Sequence, residues 1–161
     1  MKAYLGIGTN LGERGKNIDE ALRLIKEHIG PISKISSFYV TEPWGFKSEN
    51  DFLNMAVELS TRLKPSGLLG RILMTEAQMG RLREGSRYAS RVIDIDILLY
   101  GDKVLEEKTL VIPHPKLHER RFALVPLNEI AGDIVHPKLG KTIKTLLKEC
   151  RDKSKVKKYR K

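Results

Sequence analysis

The segment from Phe52 to Leu63 alternates between apolar and mixed residues, and it constrains the fold more than any other stretch. Every second residue of a β-strand points to the same side, so one side of this strand would be mostly apolar. That side carries Leu53, Met55, Val57, Leu59, Thr61 and Leu63. The opposite side carries Phe52, Asn54, Ala56, Glu58, Ser60 and Arg62. The pattern predicts a sheet with one face on a hydrophobic core.

The neighbouring segments give the order β-α-β-β-α-β. Apolar residues at helical spacing predict helices over 16–29 and 65–79, and strands are predicted over 2–8, 32–41, 52–63 and 91–100. This order indicates an α+β fold with a ferredoxin-like βαββαβ core, in which helices pack on one face of a largely antiparallel sheet. We expect the other face to present side chains to a ligand. Later segments predict a strand over 105–112, an irregular segment or short helix over 113–121, and a helix over 142–150 capped by Thr142.

Length and composition are those of one globular domain, with 161 residues, 40% hydrophobic and 31% charged. We predict a single domain over 1–150 and a basic, mobile C-terminal tail over 151–161. The tail holds seven Lys or Arg and one Asp, so it supplies most of the net charge of +10. The sequence shows no signal-peptide pattern, no apolar run long enough for a bilayer, and a single cysteine, Cys150. We therefore expect a cytoplasmic protein without a membrane partner.

Two aspartates interrupt the apolar strand RVIDIDILLY, residues 91–100. Its core side would carry Ile93, Ile95, Ile97 and Leu99. Asp94 and Asp96 then share the opposite side, with Cα atoms roughly 6.6 Å apart. Carboxylates this close repel each other unless a cation lies between them, and Mg²⁺ bound to phosphate oxygens is the simplest candidate. The alternative is a pair of solvated aspartates on an exposed sheet face.

The segment before this strand is rich in arginine, with Arg81, Arg83, Arg87 and Arg91. Arginine binds phosphate through paired N–H donors, and beside two carboxylates it indicates a polyphosphate site of the kind that phosphoryl transfer requires. A ferredoxin-like nucleic-acid-binding module, using this segment and the basic tail, is the alternative from another functional class. Two carboxylates on the binding face disfavour it because they repel a phosphate backbone, and the aromatic RNP1 pattern is absent.

Common nucleotide-binding motifs do not account for such a site. The segment GIGTNLG has its glycines at G-x-G-x-x-x-G, which misses the dinucleotide fingerprint, and Asn17 stands where a P-loop has Ser or Thr. His114 lies in PHPKLHERR, where Pro115 disfavours a helical pair of metal-binding histidines. Contact with phosphate is the better hypothesis for His114.

Together these segments resemble the 6-hydroxymethyl-7,8-dihydropterin pyrophosphokinases of folate biosynthesis. The resemblance rests on AYLGIGTNLG, SSFYVTEPWG, DFLNMAVEL, SRVIDIDILLYG and IPHPKLHERRFALVPLNEIA, which follow one another in the order found in that family. It implies transfer of pyrophosphate from ATP to the hydroxymethyl group of the reduced pterin, leaving AMP. The implied partners are ATP and this pterin, with no specific nucleic acid, and we expect a monomer.

The resemblance also implies roles for individual residues. Asp94 and Asp96 would hold two Mg²⁺ ions on the ATP phosphates, and catalysis would also use Arg81 and Arg91. ATP binding is implied for Glu76, Arg81, Arg83, Arg91, His114 and Arg120. Pterin binding is implied for Thr41, Pro43, Trp44, Phe52, Asn54 and Phe122. In that set, the two phenylalanines would stack on the pterin ring and the asparagine would hydrogen-bond its edge.

Overall fold

The structure is a computed structural model that describes residues 1–41, 51–80 and 92–159. Its strands are β1 (Lys2–Thr9), β2 (Ile32–Ile35), β3 (Tyr39–Thr41), β4 (Phe52–Ser60), β5 (Asp94–Tyr100), β6 (Leu105–Glu106), β7 (Val111–Ile112) and β8 (Val156–Lys158). Its helices are α1 (Arg14–His28), α2 (Pro65–Gln78), α3 (Arg121–Ala131) and α4 (Ile143–Glu149), and a 3-10 turn spans Leu117–Glu119. No helix within these ranges combines the length and apolar character that a bilayer span requires.

Six strands in the described part of the chain form one antiparallel sheet, in the order β5-β1-β4-β3-β8, with β2 also paired to β4. The elements β1, α1, β2, β4, α2 and β5 reproduce the predicted βαββαβ order. The α+β, ferredoxin-like prediction is therefore confirmed. The short strands β6 and β7 pair only with each other, so the predicted strand over 105–112 is a small hairpin.

The first face of the sheet packs against α1 and α2. The alternation predicted for β4 is observed here, because Leu53, Met55, Val57 and Leu59 all lie in this core and are at most 1% exposed. The helices contribute Ile18, Ala21, Ile25, Leu68 and Ile72 to the same cluster. Each large apolar side chain buried in this way stabilises the fold by about 1.5–3 kcal/mol.

The second face of the sheet is partly covered by α3 and α4. Tyr4 and Ala56 from the sheet pack in one cluster with Leu124 and Leu127 of α3. The expectation that helices cover only one face was therefore wrong. The apolar character of 123–130 is visible in the sequence, but a helix pattern does not say which face of a sheet the helix will cover.

A β-bulge in β5 changes which side chains reach this second face. Tyr4 pairs with Leu99 while Leu5 pairs with Ile97, so Leu98 is an extra residue in β5. An extra residue shifts the alternation that follows it. Leu99 was predicted on the core side with Ile97, but it belongs to the cluster beneath α3 and α4.

The predicted strand over 32–41 is divided into β2 and β3. Both pair with β4, and the segment between them is held by Ser36. Its backbone N–H donates to the Ala56 carbonyl at 2.9 Å, and its hydroxyl accepts from the Ala56 N–H at 2.9 Å. A serine side chain thus replaces one backbone partner, which keeps β4 satisfied where the ladder is interrupted.

The C-terminal residues, for which the sequence predicts a basic and mobile tail, include a short strand that was not predicted. Val156–Lys158 forms β8 and pairs with β3 at the edge of the sheet. Asp152, Ser154 and Val156 are half-buried, whereas the basic residues between them are exposed. Such alternation is typical of a strand with one face on the protein. The basic composition hid this short pattern.

Glu58 is a buried carboxylate on the covered part of the second face. Its Oε2 accepts a hydrogen bond from the Tyr4 hydroxyl at 2.5 Å, and its Oε1 accepts one from the Ser33 hydroxyl at 2.8 Å. The ammonium groups of Lys2 and Lys34 lie 3.7 and 3.9 Å from its oxygens. Burial raises the pKa of Glu58, but the hydrogen bonds and the lysines outweigh it, so this pKa lies below its ordinary value.

We expect Glu58→Gln to lower the free energy of unfolding at pH 7 by about 1–3 kcal/mol, because the amide leaves a buried hydroxyl donor without its acceptor. A lowered carboxyl pKa stabilises the fold above the unfolded pKa of about 4.3, and this contribution is lost as pH falls through the folded pKa. The difference between wild type and variant should therefore shrink below about pH 4. Urea unfolding at pH 7 and pH 3.5 measures it. The exposed Glu20→Gln serves as a control, and an equal deficit at both pH values would contradict the prediction.

Candidate active site

The open part of the second face lies where β5, β1 and β4 run side by side. Gly8 of β1 pairs with Asp94 on one side and with Asn54 on the other. In the next row, Gly6 pairs with Asp96 and with Ala56. The two carboxylates and the asparagine amide therefore flank two glycines on one face, with the outer strands roughly 10 Å apart.

Gly6 and Gly8 form the floor of this site because they add no side chain between the flanking strands. A Cβ atom on Gly8 would lie 2.6 Å from Asn54 Oδ1, and one on Gly6 would lie 3.4 Å from a methyl carbon of Leu98. Any other residue at position 8 would therefore displace the asparagine amide. In the sequence these glycines miss the dinucleotide fingerprint, and they were not predicted as site residues. Two glycines that lie two residues apart in a strand have the same face of the sheet open. This is the sequence signal that could have identified Gly6 and Gly8 as floor residues.

A cleft with an empty volume of ≈ 380 Å³ opens above this floor. It brings together six of the predicted site residues: Asn54, Asp94, Asp96, His114, Arg120 and Phe122. The remaining lining is Gly6, Ile7, Gly8, Met55, Leu98, Leu117 and Ala123. The lining residues come from segments that are far apart in the sequence, from Gly6 in β1 to Ala123 in α3, and the fold brings them together at this cleft.

Asp94 and Asp96 share the cleft face of β5, as their spacing predicts. The Asp96 side chain is 33% exposed, and its Oδ2 lies 4.0 Å from Nη1 of Arg120. Among the described residues, no group of three or more His, Cys, Asp and Glu converges on a point that could hold a metal ion. Mg²⁺ needs only one or two carboxylates when water and phosphate oxygens complete its shell, so this pair suits a phosphate-bound Mg²⁺.

Arg120 and Phe122 lie together at the start of α3. The Arg120 guanidinium is largely buried, and its Cζ lies 5.6 Å from the centroid of the Phe122 ring. A cation at this distance from a ring is attracted to it, so each side chain restrains the other. The same guanidinium faces Asp96, which places it on the carboxylate side of the cleft.

His114 enters the cleft from the segment after β7. Its backbone N–H donates to the Leu98 carbonyl at 3.1 Å, which attaches it to the bulged part of β5. Its ring Nδ1 accepts a hydrogen bond from the Lys116 N–H at 3.1 Å. In the neutral ring the proton is therefore on Nε2, which makes that nitrogen a donor suited to a phosphate oxygen.

Glu76 is buried in the last turn of α2 and contacts β5 rather than lining the cleft. Its Oε2 accepts a hydrogen bond from the Ile95 N–H at 2.9 Å. Ile95 lies between the two aspartates, so this carboxylate helps to fix the backbone that presents them. Its predicted contact with ATP stays a prediction.

The predicted pterin residues of β3 and β4 lie on the other side of the glycine floor. Asn54 Nδ2 donates to the Thr41 hydroxyl at 2.5 Å, and both side chains are buried. Phe52 pairs with Thr41 across the strands, and its Cδ1 lies 3.7 Å from the Cβ position of Gly8. Phe52 therefore shares the face of Asn54. Its stacking opposite Phe122 stays a prediction.

Five predicted site residues lie outside the described parts of the chain: Pro43, Trp44, Arg81, Arg83 and Arg91. Their predicted contacts with the pterin and with ATP stay predictions.

Comparison with known proteins adds a family to this geometry. The family model for 7,8-dihydro-6-hydroxymethylpterin-pyrophosphokinase matches residues 4–132. A protein of Aquifex aeolicus (strain VF5) named 2-amino-4-hydroxy-6-hydroxymethyldihydropteridine pyrophosphokinase is 41% identical over 141 residues, which cover 88% of this chain and 87% of the relative. A protein of the same name from Bacillus subtilis (strain 168) is 40% identical over 133 residues, covering 82% and 79%.

A solved structure supports the fold. The crystal structure of wild-type Plasmodium falciparum HPPK-DHPS with pteroate is similar with a TM-score of 0.75 at 18% sequence identity. The similarity covers 92% of this chain but only 44% of that chain. From the match over residues 4–132 and the identity to the bacterial relatives, the chain belongs to the 7,8-dihydro-6-hydroxymethylpterin-pyrophosphokinase family.

Proposed function

We propose that this chain transfers pyrophosphate from ATP to the hydroxymethyl group of 6-hydroxymethyl-7,8-dihydropterin, with release of AMP and dependence on Mg²⁺. Membership of the family makes it an ATP-dependent pyrophosphokinase of folate synthesis. The observation that carries the proposal is the alignment of residues across the neighbouring strands β5, β1 and β4, in which Gly8 and Gly6 lie beside Asp94 and Asp96. It sets carboxylates on one side of a glycine floor and an asparagine amide on the other.

In this proposal the two substrates occupy the two sides of the floor. The Asn54 amide donates to Thr41, which leaves its Oδ1 directed over Gly8 as an acceptor for N–H groups of the pterin. Phe122 supplies an aromatic wall, which suits a flat ring. Arg120 supplies donors beside Asp96, and His114 supplies one in the same cleft, which suits the phosphates of ATP. The hydroxymethyl group and the β-phosphate would then meet above Gly6 and Gly8.

The reaction is an attack by the pterin hydroxyl oxygen on the β-phosphorus of ATP. The bond between that phosphorus and the oxygen bridging to the α-phosphate breaks, AMP leaves, and the hydroxyl proton is released. The chain contributes by positioning both substrates and by stabilising charge on the transferred group. Asp94 and Asp96 would hold Mg²⁺, which neutralises phosphate charge when bound.

Incubation with ATP, Mg²⁺ and the hydroxymethyl pterin tests the proposal. We expect AMP and the pterin pyrophosphate in equal amounts, and no AMP when Mg²⁺ is removed with EDTA. A matched control uses 6-methyl-7,8-dihydropterin, which lacks the attacking hydroxyl and should yield no AMP. Formation of ADP in place of AMP would contradict the proposal, because it would indicate transfer of a single phosphate. Cytoplasmic location and the monomeric state stay predictions.

A further inference from the structure

Residues 151–159, here named the C-terminal strap, reach two elements that carry predicted pterin residues. One is the start of α3, where Phe122 lies, and the other is β3, which ends at Thr41. The strap lies beyond residues 4–132, the range that the family model matches.

The first anchor of the strap is Asp152 at the N-terminus of α3. Its Oδ2 accepts a hydrogen bond from the Arg121 N–H at 3.1 Å, and its Oδ1 accepts from the N–H and hydroxyl of Ser154 at 3.0 and 2.5 Å. Burial raises the pKa of Asp152, but these hydrogen bonds and the Arg121 charge lower it below its ordinary value. A carboxylate here suits the positive end of the helix. Because Arg121 precedes Phe122, this contact fixes the turn that presents the Phe122 ring.

The second anchor is the ladder between β8 and β3. Val156 pairs with Thr41 and Lys157 pairs with Val40. Beyond β8, the Tyr159 N–H donates to the Phe38 carbonyl at 2.7 Å. β3 has only three residues, and β8 gives it a second neighbour besides β4. A short strand paired on both sides frays less than one at a sheet edge.

The position of Thr41 affects the site directly. Its hydroxyl accepts the hydrogen bond that orients the Asn54 amide over Gly8. A shift of Thr41 would therefore turn the amide that is proposed to bind the pterin edge.

Glu129 of α3 connects the two anchors. Its Oε1 accepts from the Tyr39 hydroxyl at 2.5 Å, and its Oε2 accepts from the Ser37 N–H at 2.9 Å. Burial raises the pKa of this carboxyl, but the hydrogen bonds from Tyr39 and Ser37, with a smaller effect of the Lys158 charge, lower it, and the net shift is downward. The strap thus contacts α3 through Asp152 and β3 through β8, and Glu129 links α3 to β3, so the strap is connected to both elements that carry predicted pterin residues.

We propose that the C-terminal strap is a positioning element for the pterin side of the active site. It holds Thr41, and through it Asn54, at a fixed distance from Phe122. The inference rests on the proposed function, because it assigns the strap to one of that reaction's two substrates. Loss of the strap should therefore weaken use of the pterin and spare use of ATP, whose proposed contacts lie on β5 and beside it.

Substitution at Lys157 separates the strand pairing from the basic charge. Phe38 and Tyr159 share a hydrogen bond, so the alternation of an antiparallel pair makes Val40 and Lys157 the next bonded pair. Lys157→Pro removes the backbone N–H of residue 157, which pairs with Val40, whereas Lys157→Gln keeps this N–H and removes only the side-chain charge. In the full chain, we expect the proline variant to raise the KM for the pterin roughly five- to tenfold, as for the loss of a hydrogen bond or two. Its KM for ATP should change less than about twofold, and the glutamine variant should match wild type.

Hydrogen exchange supplies a readout that does not depend on turnover. In the proline variant, amides of β3 should exchange faster while those of β1 keep their protection. A chain ending at Ser154 is the second variant, because it deletes β8 but keeps the Asp152 contacts. It should reproduce the proline result in both measurements.

Several outcomes would overturn the inference. One is an unchanged KM for the pterin when β3 exchange has accelerated, and another is an equal rise in both KM values. Global unfolding of both variants would also overturn it, because the strap would then be a general stabilising element. If the wild-type chain itself forms no AMP, the proposed function fails and the inference falls with it. If the wild-type chain forms AMP and Lys157→Pro keeps the wild-type KM for the pterin, the positioning role of the strap is rejected and the proposed function stands.

Discussion

Asp96→Ala should leave the chain folded and lower kcat/KM for pyrophosphate transfer by roughly 10²- to 10³-fold, the loss typical of removing one group that stabilises transition-state charge. The side chain is 33% exposed and faces the cleft, so its removal creates no core cavity. The variant loses the carboxylate that is proposed to hold a phosphate-bound Mg²⁺, and it loses the oxygen that lies 4.0 Å from Arg120 Nη1. Release of AMP, measured against ATP and pterin concentration, gives the change.

Asp102→Ala is the matched control for this experiment. Asp102 lies in the turn just after β5 and is exposed, so it shares the chain region of Asp96 but not the cleft. It should retain wild-type kinetics. Full turnover of Asp96→Ala with Mg²⁺ present would remove the carboxylate pair from the mechanism, and unfolding of the variant, seen by circular dichroism, would show that Asp96 is structural.

Gly8→Ala should reduce kcat/KM for the pterin by up to about 10²-fold, because a displacement of roughly 1 Å in a positioning group can cost that much. The new methyl group would lie 2.6 Å from Asn54 Oδ1, so the amide must move away from its place over the floor. The backbone at Gly8 does not have a positive φ, so the effect comes from lost space and not from backbone strain. Direct titration of the pterin, followed by its fluorescence, measures binding without turnover.

Two other glycines provide graded controls for this substitution. A Cβ on Gly6 would meet Leu98 at 3.4 Å, so Gly6→Ala should cause a smaller loss than Gly8→Ala. Gly70 lies within α2 with nothing within 4 Å of a Cβ, so Gly70→Ala should raise stability by about 0.5–1 kcal/mol and leave the kinetics unchanged. If Gly8→Ala binds the pterin as wild type does, the glycine floor has no role in recognition.

The sequence predicted those parts of the fold in which local chemistry is decisive. Thr142 caps α4, and its side chain accepts a hydrogen bond from the Thr145 N–H. Gly80 has a φ of 84°, as the predicted end of α2 requires. The alternation of β4 placed four apolar residues in the core. In each case, the residues that determine the structure are neighbours in the chain.

The errors have a common physical origin in pairings between distant residues. The bulge at Leu98 depends on how β5 aligns with β1, and this register is not visible within RVIDIDILLY. The position of α3 over the second face depends on Tyr4 and Ala56, which lie far from it in sequence. β8 has a basic composition that obscures its strand pattern, and its partner β3 precedes it by more than a hundred residues.

For the site, residue chemistry was a better guide than glycine spacing. The two carboxylates, Asn54, His114, Arg120 and Phe122 were predicted from their type and from the family resemblance, and they line one cleft. Gly6 and Gly8 were missed as floor residues. A glycine contributes through the absence of a side chain, and only the neighbouring strands show what that absence makes room for.

The contacts of β5 and β8 have a consequence for the behaviour of the protein in concentrated solution. Both are outer strands of the sheet, where open backbone groups could recruit a strand from another molecule. On β5 the Ile95 N–H is taken by Glu76 and the Leu98 carbonyl by the His114 N–H. On β8 the exposed Lys157 and Lys158 place positive charge along the margin. Occupied backbone groups at one margin and lysine charge at the other are features that disfavour the addition of a strand from another molecule.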